Sequence, residues 1–188
     1  MARKKEYIEE EVIEKAMELF WRNGYETTSV RMLEKEMGIN QFSIYSSFGN
    51  KKGVFIKSLA CYKGKAKLEL INKLQNSSDG INAIKQYFYD FINFSKESRL
   101  NKGCLITNTV NELGEKADQE IMSEIVNFAT NVKTLFIEKL ELDNLKTAEI
   151  INKQANYLMV ALQGLSVASK MFNQGELDDF IENTFENL

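Results

Sequence analysis

Thr27-Thr28-Ser29-Val30-Arg31-Met32-Leu33-Glu34-Lys35-Glu36-Met37-Gly38-Ile39-Asn40-Gln41-Phe42-Ser43-Ile44-Tyr45-Ser46-Ser47-Phe48 is the stretch that decides the fold of this 188-residue chain. Capping-type residues at 27–29 precede Val30, Leu33 and Met37, which fall on one helical face. Gly38 interrupts that helix, Ile39-Asn40 leads into a second short one over Gln41–Ser47, and Gly49-Asn50 marks the next turn. A short helix, a glycine turn and a short polar helix are the layout of a helix-turn-helix, in which the second helix enters the major groove and the first braces it. Val30, Leu33, Ile39, Ile44 and Phe48 fall on the packing side, so Gln41, Phe42, Ser43, Tyr45, Ser46 and Ser47 are expected to face outward. Such a surface, beside Lys51 and Lys52, is poor at burial and good at bonding to base edges and phosphates. On the residues alone, an inert helical corner is the competing reading.

Upstream, Ile8, Val12, Ala16, Leu19 and Phe20 recur at three- and four-residue steps and predict a first helix that stops at Asn23-Gly24. Downstream, Val54, Phe55, Leu59, Tyr62, Leu68, Ile71 and Leu74 predict one long helix with no linker inside it. Asn76–Gly80 is a turn cluster, followed by a helix carrying Ile81, Ile84, Phe88, Phe91 and Ile92 that fades over Ser95–Lys102. A short helix is expected from about Cys104 to Gly114, then one carrying Ile121, Ile125, Phe128, Val132, Phe136 and Leu140. A last long helix over Thr147–Asn173 and a short terminal segment complete an all-α chain of about nine helices.

Composition narrows the function. The chain has no proline and no histidine, so the commonest general base and the commonest metal ligand are both missing. The two cysteines, Cys61 and Cys104, match no metal-ligand spacing, so no metal, cofactor or catalytic residue is expected. The paired carboxylates Asp178-Asp179 are better explained as solvated charge, which leaves an all-α enzyme as a weak alternative. The net charge of −3 is unevenly spread: +4 through Lys67 and −7 beyond it, which turns the positive end toward phosphates. No apolar run approaches a membrane span and no export signal opens the chain, so a cytoplasmic location is expected.

The run Gly24-Tyr25-Glu26-Thr27-Thr28-Ser29-Val30-Arg31, with Gly38 through Phe55, resembles the signature of the tetracycline-repressor (TetR) family of transcriptional regulators over about Ile8–Leu59. The resemblance implies three N-terminal DNA-binding helices over residues 1–50, then a helical ligand-binding and dimerisation part over residues 51–188, whose last two long helices meet a partner subunit. It implies roles for Ser29, Arg31, Asn40, Gln41, Phe42, Ser43, Tyr45, Ser46, Ser47 and Lys51 against a palindromic double-stranded operator. Among these, Tyr45 falls where a phosphate-contacting aromatic is usual, and Phe42 departs from the small residues frequent at its slot. It also implies a repressor released by a small organic effector.

For the effector, the resemblance and the mix of apolar walls with polar handles point to Phe88, Phe91, Cys104, Thr107, Asn108, Phe128, Tyr157, Met159 and Gln163. A rival is a redox- or electrophile-sensing regulator acting through Cys104, with Lys102 and a helix N-terminus lowering the thiol pKa. Ala155, Leu158, Leu162, Leu165 and Ala168, with Gly164 allowing close approach, make the penultimate helix apolar round much of its circumference and are expected at a homodimer interface.

Overall fold

Side-chain caps fix where the helices begin. The Ser29 hydroxyl accepts from the Met32 amide at 3.2 Å, the Asn40 carbonyl oxygen from Ser43 at 2.8 Å, and that of Asn50 from Gly53 at 2.9 Å. The structure, a computed structural model, describes residues 7–96, 102–142, 146–186 and 188. The basic tip at residues 1–6, and most of the stretch where the fifth helix was expected to fade (97–101), lie outside the described residues.

Among the described residues there are nine helices and no strand. They are α1 (Glu9–Asn23), α2 (Val30–Met37), α3 (Gln41–Phe48), α5 (Gly80–Lys96), α6 (Leu105–Leu113), α7 (Gln119–Leu140), α8 (Ala148–Ala168) and α9 (Gln174–Glu186). The remaining one, α4, runs as Lys51–Ala66, passes through a π turn at Lys67–Ile71 and ends as Asn72–Asn76. A 3₁₀ turn, Gly114–Lys116, follows α6.

The three N-terminal helices close over Leu33, Met37 and Ile44, all buried, with Phe48 at the edge. α1 lies along the first half of α4, where Phe20 meets Phe55 edge to face at 4.9 Å and Tyr25 meets Phe55 at 4.7 Å. Gly53 is required by proximity, because a Cβ there would stand 1.9 Å from the Phe48 carbonyl oxygen. This contact sets the corner from α3 into α4. Further along, α5 packs on α7 and α9 through Tyr87, Phe88, Phe136 and Phe185. Lys139, buried on α7, donates to the carbonyls of Gln75 (3.0 Å) and Ser77 (2.5 Å) and so ties down the far end of α4.

Three details depart from the sequence pattern. Ile8 is 57% exposed because it caps α1 instead of belonging to its buried face. Leu68 is 71% exposed, while Leu70 and Leu74 are buried. The π turn admits an extra residue, and the wider turn shifts the phase of the apolar stripe. The last long helix stops at Ala168 rather than Asn173. There the buried Ser169 hydroxyl donates to the Ser166 carbonyl, an alternative to continuing the helical ladder.

Candidate nucleic-acid interface

α3 is held from beneath and bare on top. Ile44 anchors it in the core, while Phe42 is 79% exposed and Gln41, Tyr45 and Ser46 are also exposed. Gln41 Nε2 donates to the Tyr45 hydroxyl at 3.1 Å, which orients two outward side chains side by side. The Gln41 amide is bonded by Glu34 of α2 at 2.6 Å, fixing the angle between the two helices. Arg31 is exposed on α2 beside this surface, and Ser29 and Asn40 serve as caps. Ser43 is half-buried.

Two expected contacts sit differently. Ser47, expected outward, is half-buried and hydrogen-bonded to the Tyr7 hydroxyl at 2.6 Å, because its position on α3 turns it toward the segment before α1. Lys51 is not a loose charge: its ammonium lies 4.4 Å over the Tyr25 ring and donates to the Tyr25 carbonyl at 3.1 Å. Burial and the neighbouring Glu26 raise the Tyr25 pKa above its ordinary value, so that ring stays neutral beneath the cation.

The N-terminal helices are joined to the rest of the chain by polar contacts that the sequence pattern did not reveal. The Glu112 carboxylate, at the end of α6, accepts from the amides of Tyr25 (2.7 Å) and Glu26 (2.9 Å). Gly24 makes room for it: φ is +87°, and a Cβ would stand 2.6 Å from a Glu112 oxygen. Lys52 reaches Asp118 (3.1 Å) and Glu120 (3.3 Å) at the start of α7. These bonds raise the Lys52 pKa. The Asp118 pKa is lowered, first by the Glu120 amide and then by Lys52.

A second junction lies deeper. Trp21 of α1 donates from Nε1 to the Gly103 carbonyl at 3.1 Å and packs edge-on against Tyr62 of α4 at 5.0 Å. The Tyr62 hydroxyl donates to Cys104 Sγ at 3.3 Å, and the Cys104 amide donates to the Ser166 hydroxyl of α8 at 3.0 Å. Lys102, expected beside the thiol, turns away to pair with Glu18 and lies over the Trp21 ring. Cys104 itself is 8% exposed.

Tyr62 and Cys104 form one wall of a cavity of about 30 Å³ among α4, α5, α6, α7 and α8. Of the residues expected to line an effector site, Phe91, Cys104, Thr107, Phe128, Met159 and Gln163 do line it. Phe88 does not, since it is fully buried against Phe136 and Phe185. Asn108 is turned to the Lys102 carbonyl and to Lys170, and Tyr157 is 50% exposed on the outer side of α8. Among the lining residues not expected there are Tyr62, Leu70 and Tyr87, whose helical spacing reads as ordinary core.

The expected dimer residues also need correction. Ala155, Leu158, Leu162 and Leu165 are buried within the chain, against α7 and the cavity, and Ala168 is half-buried. An α-helix cannot turn the same stripe inward and outward. The exposed apolar side chains of this region are Tyr157, Val160, Val167, Met171 and Phe172, with Gly164 among them.

A braced helix standing clear of an all-α body, with an outward polar face and a capped base, defines a helix-turn-helix DNA-binding protein. Residues 12–57 match the family model of bacterial regulatory proteins, tetR family. The matched segment spans α1, α2 and α3 and the start of α4. It is 29% identical over 112 residues to the uncharacterized HTH-type transcriptional regulator YezE of Bacillus subtilis, a match covering 60% of this chain and 58% of YezE. It is 26% identical over 179 residues to the HTH-type transcriptional repressor ComR of Escherichia coli, covering 89% of this chain and 82% of ComR. Its fold is shared with the TetR family regulator CifR in complex with 26-base-pair operator DNA (TM-score 0.85, 21% identity, 98% of both chains). The fold is also that of a TetR regulator from Legionella pneumophila (TM-score 0.82, 18% identity, 99% of this chain and all of that one). No helix among the described residues is long and apolar enough to cross a membrane.

Proposed function

We propose that the chain acts as a homodimeric repressor that leaves a palindromic operator when a small organic effector enters the cavity beside Tyr62 and Cys104. The observation that carries the DNA half is the bare face of α3, where Phe42, Gln41, Tyr45 and Ser46 project from a helix anchored by Ile44. Gln41 and Ser43 would read base edges, with Phe42 on a thymine methyl group, while Arg31, Tyr45, Lys51 and the Ser29 and Asn40 caps would hold the phosphate backbone. Ser46 borders this surface, and Ser47 supports it from behind through Tyr7. Naming of the relative ComR as a repressor, and of IcaR from Staphylococcus aureus as a negative regulator, supports repression.

The effector half rests on the Tyr62–Cys104 wall, which touches Trp21 on α1, the helix packed behind the bracing helix α2. A ligand that favours a displaced wall also favours a displaced α1, and the two reading helices of a dimer must stand roughly 34–36 Å apart to engage successive grooves. Residues 1–50 then form the DNA-binding unit and 51–188 the responsive body. The exposed Tyr157, Val160 and Val167 face of α8, with Met171 just beyond its end, would meet its two-fold mate. The Cys104 thiol, covered and bonded by Tyr62, favours this reading over one in which the thiol is attacked directly.

The test is fluorescence anisotropy with operator DNA selected from a random pool, which should return a palindrome. Lys51→Ala should weaken binding evenly across sequences and lower the salt slope by about 1. Gln41→Ala should cost about 1–3 kcal/mol and relax the preference at one base pair per half-site. Unchanged affinity in both variants would remove α3 and Lys51 from the interface.

A further inference from the structure

We infer that the cavity accepts a small, uncharged molecule bearing one amide-like donor–acceptor group, and rejects organic anions and cations of the same size. The inference deepens the effector reading above and depends on it.

Its basis is the chemistry of the wall. No charged side chain lines the cavity, whose surface is built mainly from Ala66, Leu70, Phe91, Phe128, Val132 and Leu162. Two cations close to Cys104 are committed elsewhere: Lys102 to Glu18 and the Trp21 ring, Lys170 to the Asn108 carbonyl oxygen. A carboxylate placed inside would be stripped of water with no counter-charge to replace it. An ammonium fares no better, since no carboxylate lines the wall. The Tyr62 and Tyr87 rings are already turned against Trp21, Phe94 and Phe136.

The polarity of the wall is neutral. The Thr107 hydroxyl donates to Gln163 Oε1 at 2.8 Å across the mouth between α6 and α8. That leaves the Gln163 NH₂ as a donor and the Thr107 oxygen as an acceptor, the complement of a C=O beside an N–H or O–H. Size follows from the volume. About 30 Å³ holds a water or two, so a ring can enter only by moving side chains. Met159, unbranched and half-buried, is the wall residue best able to give way.

Trp21 supplies the readout. It is the only tryptophan in the chain and lies 5.0 Å edge-on to the cavity residue Tyr62. The full chain is titrated separately with benzamide, benzoate and benzylammonium, following Trp21 emission and calorimetric heat. Benzamide should give a saturable change, with benzoate and benzylammonium at least about 30-fold weaker, equivalent to about 2 kcal/mol. Gln163→Leu should weaken benzamide several-fold, and Met159→Ala, which enlarges the wall, should tighten it. Benzoate or benzylammonium binding as tightly as benzamide would overturn the inference, as would no saturation by benzamide even in Met159→Ala. A separate result tests the effector reading: benzamide that saturates Trp21 without loosening the operator leaves the charge rule standing and removes the cavity from control of DNA binding.

Discussion

Replacing Glu112 should uncouple the N-terminal helices from the body without touching the exposed side chains of α3. Its carboxylate accepts two amide hydrogen bonds, at 2.7 and 2.9 Å, from the turn after α1. Bonds to a charged acceptor contribute about 1.5–3 kcal/mol each when shielded, but these are exposed and solvent reduces them to about 0.5–1 kcal/mol apiece. Glu112→Ala should therefore lower unfolding stability by about 1–2 kcal/mol, and Glu112→Gln, which keeps one acceptor oxygen, by about half as much. Urea melts give the energy, and amide hydrogen exchange at Tyr25 and Glu26 gives the location. Gly24→Ala sharpens the test, since its added Cβ meets both an unfavourable φ of +87° and the carboxylate at 2.6 Å. The φ strain, about 1–2 kcal/mol, remains in any background, whereas the collision vanishes with Glu112→Ala. The double variant should thus be more stable than the sum of the two single losses allows. Strict additivity, with unchanged exchange at Tyr25 and Glu26, would refute the idea that this carboxylate bridges the two parts of the molecule.

Lys139→Met should destabilise the chain by about 1–3 kcal/mol in urea melts, because the carbonyls of Gln75 and Ser77 lose a shared donor where α7 meets the end of α4. Stability should also fall at alkaline pH. Burial, together with the Glu182 carboxylate it donates to, raises the Tyr89 pKa from 10.0 to about 12. Folding therefore favours its neutral form; the contribution is complete below pH 10 and disappears as pH rises toward 12. Tyr89→Phe should flatten that part of the stability profile, and an identical slope in the variant would count against the Glu182 bond.

The helix inventory was legible because a proline-free chain leaves amphipathic spacing uninterrupted, and glycines and capping residues punctuate it. The exposed face of α3 was legible for a different reason: Gln41, Phe42, Tyr45 and Ser46 form a side that the core does not bury. Ser47 escaped because its partner, Tyr7, lies forty residues away and a hydroxyl carries no mark of which side it faces. The cavity was half visible. Polar Thr107 and Gln163 stood out on apolar helices, whereas Tyr62, Leu70 and Tyr87 have the spacing of any buried stripe. The α8 assignments failed because apolarity all round a helix says that two sides are covered but not which belongs to its own chain. Nor did any local pattern announce Glu112, whose meaning lies wholly in a turn 87 residues earlier.

The π turn at Lys67–Ile71 has a mechanical consequence. A continuous α-helical rod transmits torsion along its whole length, so twisting one end must drag the other. Here the surplus residue interrupts the regular ladder between the segment clasping α1 and the segment pinned by Lys139. The joint falls beside Leu70, on the cavity wall. Any roll of the upper segment against the clamped lower one would be taken up at this joint, where a molecule entering the cavity would press.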